Sequence, residues 1–405
     1  MNIIVQKFGG TSVATEELRN KAVDKVIGCI QEGKQPVVVV SAMGRKGEPY
    51  ATDTLLQIGR DPYQEYTSRE LDLIMACGET ISSVIFANTI KSRGYKAAAL
   101  MGFQAGIITD EKYGDADVIK VESQSIIRLL ENGIIPVITG FQGISESGNI
   151  TTLGRGGSDT SAAVIGEALK AELVEIYTDV DGIMTADPRL VTQAKVIDQI
   201  CYDEIYQMAE DGAKVIHPRA VEVARRGSIV LKIKNTFTNA PGTVISSFEH
   251  YENKYSKYPS IGECITAIAH KNNIAQVIVQ YEDASEANEI FMSALAENDI
   301  SIDMINFFID KKIFTVEEQH LAKLESILRD IGLKYDIHKN CSKITTIGHK
   351  MRGVPGVMAR IVKALAKENI KILQTSDSYT TISCLVSCEN MEKSVNLLHQ
   401  EFQLA

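Results

Sequence analysis

The chain has 405 residues, and 42 Lys+Arg against 52 Asp+Glu give a net charge of −10, a balance that argues against a nucleic-acid partner, whose phosphates select basic surfaces. A hydrophobic share of 44% is enough for a sizeable core in each of several domains at about 100–200 residues apiece, and it excludes a disordered chain. Tryptophan is absent and aromatic residues make up 6%, which leaves little for stacking on bases or sugars.

No run approaches the ~18 continuous apolar residues of a membrane span, and the opening Met1-Asn2-Ile3-Ile4-Val5-Gln6-Lys7 lacks the basic-then-apolar layout of a signal peptide. A cytoplasmic protein without a membrane partner is therefore expected. The seven cysteines form no CxxC pair and have no histidine at metal-ligand spacing, so reduced, mostly buried thiols are predicted and no protein metal site.

From the N-terminus to about residue 245, short apolar runs alternate with amphipathic stretches punctuated by Gly or Pro. This predicts an α/β sandwich with a mainly parallel sheet. Strands are expected near Ile3 to Val5, Val37 to Val40, Ala97 to Leu100, Ile134 to Thr139, Leu173 to Thr178 and Ile229 to Ile233, several too continuously apolar to face water on either side. After the first strand, Lys7-Phe8-Gly9-Gly10-Thr11-Ser12-Val13 brings a cation, two glycines and two hydroxyls to a helix start, which suits either a phosphate or an ordinary Gly-Gly turn. The spacing is neither GxxxxGK[ST] nor GxGxxG.

Leu18, Ala22, Val23, Val26, Ile27 and Ile30 then recur at three- and four-residue steps, with Glu16 and Glu17 ahead and Gly33 beyond, as an amphipathic helix requires. Cys77-Gly78-Glu79-Thr80 reads as the opening of another helix, in which Glu79 would favour the positive end of the helix dipole. Gly154-Arg155-Gly156-Gly157 forms a second glycine turn before a helix that Ser158 or Asp159 would cap. An arginine wedged between glycines suits a bidentate grip on a carboxylate or phosphate. Thr178 to Arg189 forms a loop at a carboxyl strand end, where open α/β sheets bind ligands, and its Asp179, Asp181 and Asp187 lack calcium-loop spacing. Lys214 lies in Gly212-Ala213-Lys214-Val215-Ile216-His217-Pro218, and no Ser-His-Asp or Cys-His arrangement stands out.

A polar stretch from Ser247 to Ser260 predicts a linker. Beyond it, Ala294 to Ile302 lines up with Ala364 to Ile372, each a helix end turning into a strand, so two related ferredoxin-like βαβ modules are expected. The predicted division is 1–246, a linker over 247–260, and modules over 261–338 and 339–405.

The motifs KFGGTSV, CGE at Cys77 to Glu79, GFQG at Gly140 to Gly143, TTLGRGGSDTSA at Thr151 to Ala162, YTDVDGIMTADPR at Tyr177 to Arg189 and GAKVIHPRA at Gly212 to Ala220 together resemble the aspartokinase family, in its monofunctional Gram-positive form. The duplicated C-terminal module looks like that family's paired ACT domains. The resemblance implies the amino-acid-kinase sandwich and transfer of the ATP γ-phosphoryl group to the side-chain carboxylate of L-aspartate. It implies that Lys7, Gly9 and Gly10 hold the transferring phosphoryl group, that Ser41 lines the same cleft, and that Asp159 orders the glycine turn and its lysine. Glu79 would take the aspartate ammonium, Arg155 its α-carboxylate, and Thr52, Phe141 and Ser158 the rest of the pocket. Thr178, Asp179, Met184, Asp187, Arg189 and Lys214 would take the nucleotide, and Mg²⁺ would ride on the ATP phosphates.

Regulation is implied as well. The ACT modules would pair between chains in a homodimer or higher oligomer and bind an end-product amino acid (lysine, threonine or diaminopimelate) near Asn288, Ser301 and Asp303, facing Gln374 and Asp377. The competing expectations are a kinase for another small acid and a non-catalytic amino-acid sensor on the same scaffold.

Overall fold

The computed structural model describes residues 2–60, 67–213, 215–247, 264–280, 286–349, 351 and 354–405, leaving out the side chains of 286–288. The predicted linker, Ser247 apart, therefore lies outside the described residues. Two compact units result, the second taking in Met184–Lys195 and Glu210–Ala213 as well as the C-terminal residues from Cys264 onward.

In the first unit the strands are β1 (Ile3–Phe8), β2 (Gln35–Val40), β3 (Ala97–Leu100), β4 (Ile107–Thr109), β5 (Val118–Val121), β6 (Ile135–Thr139), β7 (Gln142–Ser145), β8 (Ile150–Thr152), β9 (Leu173–Thr178), β10 (Gln199–Cys201), β11 (Leu231–Asn235) and β12 (Thr243–Ser246). The helices are α1 (Gly10–Val13), α2 (Glu16–Gln31), α3 (Thr52–Arg60), α4 (Ser68–Ser92), α5 (Gln124–Glu131), α6 (Gly157–Leu169), α7 (Tyr202–Glu210) and α8 (Pro218–Gly227). The main sheet runs β10-β12-β11-β9-β1-β2-β6-β3, parallel except between β11 and β12, and β5-β4-β7-β8 form a small second sheet. The continuously apolar β2 and β6 are inner strands of the main sheet, as their composition requires.

Helix α2 starts where Thr15 accepts the Leu18 N–H, and Gly33 follows its end at φ +76°. Its buried Ala22, Val23, Val26 and Ile27 pack with Val38, Val40, Phe86 and Phe8, whose ring stacks on Tyr177 at 4.8 Å. One expectation needs correcting: Glu79 does not open a helix but lies in the middle of the 25-residue α4. The apolar recurrence reaches back through Leu71 and Met75, and Thr67 is the N-cap. By length and composition α4 could span a bilayer, yet it buries Asp72 and Glu79, each bonded to backbone N–H groups of neighbouring segments. It is a core helix.

The second unit carries a six-stranded antiparallel sheet built from β13 (Ile265–Gln280), β14 (Asp303–Phe307), β15 (Lys311–Glu317), β16 (Lys334–Gly348), β17 (Gln374–Asp377) and β18 (Thr381–Ser387), in the order β14-β15-β13-β16-β18-β17. Its helices are α9 (Glu286–Glu297), α10 (Leu321–Ile331), α11 (Val357–Ala366) and α12 (Met391–Glu401). The boundary predicted between residues 338 and 339 instead falls inside the continuous strand β16. Residues Gln276 to Gln280 of β13 pair with Lys334 to His338 and close one core with Phe291, Phe314 and Leu328. Residues Ile265 to Lys271 pair with Lys343 to Gly348 and close the other with Ile361, Leu365, Leu398 and Phe402. Irregular register near Lys271 and Ile274 separates the halves, and the twist of such bulges lets one strand serve two helical layers. The first module is thus inserted into the second.

The repeated segments have a shared physical cause. Asp299 and Asn369 both take left-handed φ, at +53° and +56°, and Ile300 and Ile370 donate N–H bonds back to Leu295 and Leu365. Asp and Asn tolerate that conformation, which ends a helix and turns the chain into a strand.

The excursion Met184–Lys195 joins the second core through Ala186 and Val191. Ile268 donates to the Thr185 carbonyl at 2.8 Å, the Thr185 hydroxyl meets His399 Nε2 at 2.9 Å, and Asn396 donates to the Leu190 carbonyl at 3.0 Å. Burial holds the His399 imidazole below its usual range. In the other excursion, Asp211 meets the buried Lys343 ammonium at 2.5 Å, and Lys343 also reaches Asp303 at 2.7 Å. Burial opposes the lysine charge, but the two carboxylates outweigh it and raise its pKa.

Candidate active site

The first glycine turn sits at the carboxyl end of β1, and every neighbouring strand end contributes to it. Ser41 donates its N–H to the Phe8 carbonyl, Gly9 to Tyr177 and Gly44 to Gly10, and Gly140 donates to Val40. A Cβ on Gly10 would lie 2.5 Å from the Ala42 carbonyl oxygen, so no other residue fits there. Lys7 belongs to β1 rather than to the turn itself, and its ammonium would stand 3.9 Å from a Cβ on Gly9.

The second glycine turn arrives from the opposite side. Gly154 and Gly156 have φ of +68° and +67°, and Gly156 is the N-cap of α6. The expected side-chain cap is absent: Ser158 and Asp159 lie inside the first turn, and Asp159 Oδ1 instead meets Lys7 Nζ at 2.6 Å. That ion pair joins the two glycine turns. The buried Ser158 backs onto Gly140, whose added Cβ would come within 2.7 Å of it. Phe141 has a φ of +70°, and its N–H bonds Ser161 Oγ at 3.0 Å. A parallel sheet whose strand ends converge with a helix N-terminus is a place for an anion.

Glu79 reaches the same region from α4. Its Oε1 accepts the Ala42 N–H at 3.1 Å, while the Ala42 carbonyl crowds Gly10, so a single residue separates this carboxylate from the first turn. Oε2 is buried and makes no hydrogen bond among the described residues. Desolvation pushes the Glu79 pKa up to about 8.

Arg155 is exposed and makes no ion pair among the described residues, and Thr52 is the first residue of α3. At the end of β9 the Thr178 hydroxyl donates to Asp179 at 3.2 Å, and Asp179 also pairs with Arg45, which the sequence reading did not single out. Met184, Asp187 and Arg189 belong to the second unit, where Arg189 grips Asp187 at 2.6 Å and holds its carboxyl below the usual range. Lys214 lies outside the described residues. Among the described residues no group of three or more His, Cys, Asp or Glu could hold a metal ion.

Of the effector residues, Ser301 and Asp377 are exposed, and Asp303 is already paired with Lys343. Gln374 is buried; it accepts from Gln276 at 3.0 Å and donates to Asn306 Oδ1 at 2.7 Å and to the Met304 carbonyl. The Asn288 side chain lies outside the described residues.

A covered parallel sheet with paired glycine turns, bridged by a lysine–aspartate ion pair, defines a phosphotransferase of the amino-acid-kinase class. Residues 2–235 match the model of the amino acid kinase family, and residues 336–400 match an ACT domain. The chain is 43% identical to aspartokinase 1 of Bacillus subtilis over 100% of both chains. It superposes on E. coli aspartokinase III in complex with aspartate and ADP with a TM-score of 0.80 at 25% identity, covering 98% of this chain and 99% of that one. The same E. coli enzyme in complex with lysine and aspartate gives a TM-score of 0.76 at 25% identity, covering 99% and 100%. This chain belongs to the aspartokinase family.

Proposed function

We propose that this enzyme transfers the γ-phosphoryl group of ATP to the side-chain carboxylate of L-aspartate, giving 4-phospho-L-aspartate. The observation that carries the reading is Glu79, a buried carboxylate with one oxygen unpartnered among the described residues, a single residue from the glycine turn beside Lys7. Glu79 fixes the ammonium of the amino acid and Arg155 its α-carboxylate, with Thr52, Phe141 and Ser158 completing the pocket. These contacts aim the side-chain carboxylate at the phosphoryl group. That carboxylate is ionised at neutral pH, so no general base is required. The difficulty is repulsion between two anions, which Lys7 and the N–H group of Gly10 offset, while Gly9, its own N–H held by Tyr177, lets the turn come close to the phosphoryl group. Asp159 keeps the Lys7 ammonium over the turn, and Ser41 lines the same cleft.

Magnesium bound to the ATP phosphates would neutralise further charge there. Thr178 and Asp179 are assigned to the nucleotide, and Met184, Asp187, Arg189 and Lys214 keep the nucleotide role that the resemblance gives them. The reaction takes place in the cytoplasm. An ADP-release assay with a panel of acids tests the reading: aspartate should release ADP, and glutamate, N-acetylglutamate and carbamate should not. A sensor without activity would release none with any of them.

Arg155→Lys keeps the charge and loses the planar fork, so KM for aspartate should rise about tenfold or more while KM for ATP stays within about twofold. An equal rise in both would place Arg155 on the phosphates instead.

The ACT modules receive the end-product amino acid, with Asp303 meeting its ammonium, near Asn288, Ser301, Gln374 and Asp377. In β14, the edge strand of the sheet, Phe307 is exposed, as are the following Phe308 and Ile309; this edge is suited to pairing with a second chain. A homodimer is the minimum assembly. An effector acts only through its differential affinity for two states, typically ~1–3 kcal/mol of coupling. Asp303→Ala should therefore raise the half-inhibitory effector concentration by roughly 5–150-fold, read from inhibition curves with lysine, threonine and diaminopimelate, singly and combined. Unchanged curves would remove Asp303 from the effector site.

A further inference from the structure

Arg155 stands between two left-handed glycines, a backbone with little stiffness of its own. Something outside the turn must therefore fix its direction. The preceding strand is held from one side by Asp72, fully buried in α4, which accepts the Thr152 N–H and hydroxyl at 2.8 Å each and the Gly114 N–H at 3.0 Å.

From the other side comes Arg219 of α8. Its Nη1 donates to the Leu153 carbonyl at 2.7 Å and to Asp115 at 2.9 Å, and its Nη2 to the Ala116 carbonyl at 2.8 Å and Asp117 at 2.7 Å. The guanidinium thus staples residues 115–117 beneath Leu153, and Asp115 is the group that a Cβ on Gly154 would strike at 2.5 Å. The same residue reaches the far end of the turn. Its backbone N–H bonds His217 Nδ1 at 3.4 Å, and the His217 side chain fills the space beside Gly156, 2.1 Å from where a Cβ would stand. The sequence His217-Pro218-Arg219 makes this possible by setting N-cap, N1 and N2 of α8 in succession.

We propose that Arg219 is a positioning residue for substrate recognition, acting through Arg155 by bracketing both flanks of its glycine turn. The proposal rests on the assignment of Arg155 to the aspartate α-carboxylate. A flat fork with four acceptors is something lysine reproduces only in part.

The test is steady-state kinetics on Arg219→Gln, Arg219→Lys, Arg155→Lys and the Arg155→Lys/Arg219→Gln double variant in the full-length protein. Arg219→Gln should raise KM for aspartate about tenfold, with kcat and KM for ATP within about twofold, because a small misdirection of a binding group is enough. Arg219→Lys should recover part of the loss. In the double variant the two effects should fall well short of multiplying. Asp117→Asn, at an exposed acceptor, gives a second variant that does not depend on Arg219→Gln folding, and it should raise KM for aspartate about threefold. An unchanged KM for aspartate, equal rises in both KM values, or fully multiplying effects would overturn the proposal while Arg155→Lys upholds the substrate assignment. If Arg155→Lys itself leaves KM for aspartate unchanged, that assignment fails first and the proposal falls with it.

Discussion

Replacing Lys7 by alanine is expected to lower kcat by at least about a hundredfold, the usual consequence of deleting a charge that stabilises a transferring group. The structure adds a second effect, since Lys7 and Asp159 are an almost buried pair whose side chains are each 12% exposed. Deleting only the lysine leaves a carboxylate without its counter-charge, which costs roughly 3 kcal/mol in such settings. Thermal melting should therefore fall along with activity. A Lys7→Ala/Asp159→Ala double variant separates the two effects, because it removes the orphaned charge and should regain stability without regaining turnover. Near-normal kcat in Lys7→Ala would mean that the first glycine turn is not where phosphoryl transfer occurs.

Glu79→Gln should raise KM for aspartate by about a hundredfold, since a buried charge that meets an ammonium is lost while the volume is kept. The pH dependence carries a sign of its own. The Glu79 carboxyl in the folded protein, with a pKa of about 8, stays protonated in a range where the unfolded chain has already ionised. The folded state therefore loses stability as pH rises from the ordinary carboxyl range through about 8. Glu79→Gln lacks this loss, so without ligands its melting temperature should overtake that of the parent as pH rises through this window. Aspartate binding requires the ionised form, so it should release a proton below pH 8, and calorimetry in buffers of different ionisation enthalpy would read that proton. Binding without proton release at pH 7 would mean that Glu79 does not meet the ammonium.

The alternating sheet and the glycine turns were legible because each is a local pattern: apolar runs for covered strands, paired glycines for close approach. The resemblance named Lys7, Gly10 and Asp159 together, and the structure joins Lys7 to Asp159 through an ion pair. The start of α4 was not legible from Cys77 to Thr80 alone, since an interior Gly-Glu pair resembles a helix opening until the period through Leu71 and Met75 is followed upstream. Arg219 and Arg45 were missed for a different reason. Their partners lie 102 and 134 residues away in sequence, at Asp117 and Asp179, and no local spacing signals such a meeting. The insertion of one ACT module in the other was hidden because it depends on how β13 and β16 pair, two strands far apart in sequence, and only that pairing shows that their two halves serve different cores.

That insertion sets an order of events during synthesis. The strand segment Ile265–Ile268 is made well before its core partners Ile361, Leu365, Leu398 and Phe402. At about 5–20 residues per second a nascent chain waits on the order of ten seconds for them. The inserted module, closed by Val277, Phe314 and Leu328, has all of its own partners well before then. It can close while the outer module, together with the Met184–Lys195 excursion that packs into it, still waits for Leu398 and Phe402. A chain interrupted in this interval would thus have the inner module without the outer one, and would lack the support for the Met184–Lys195 segment made before both.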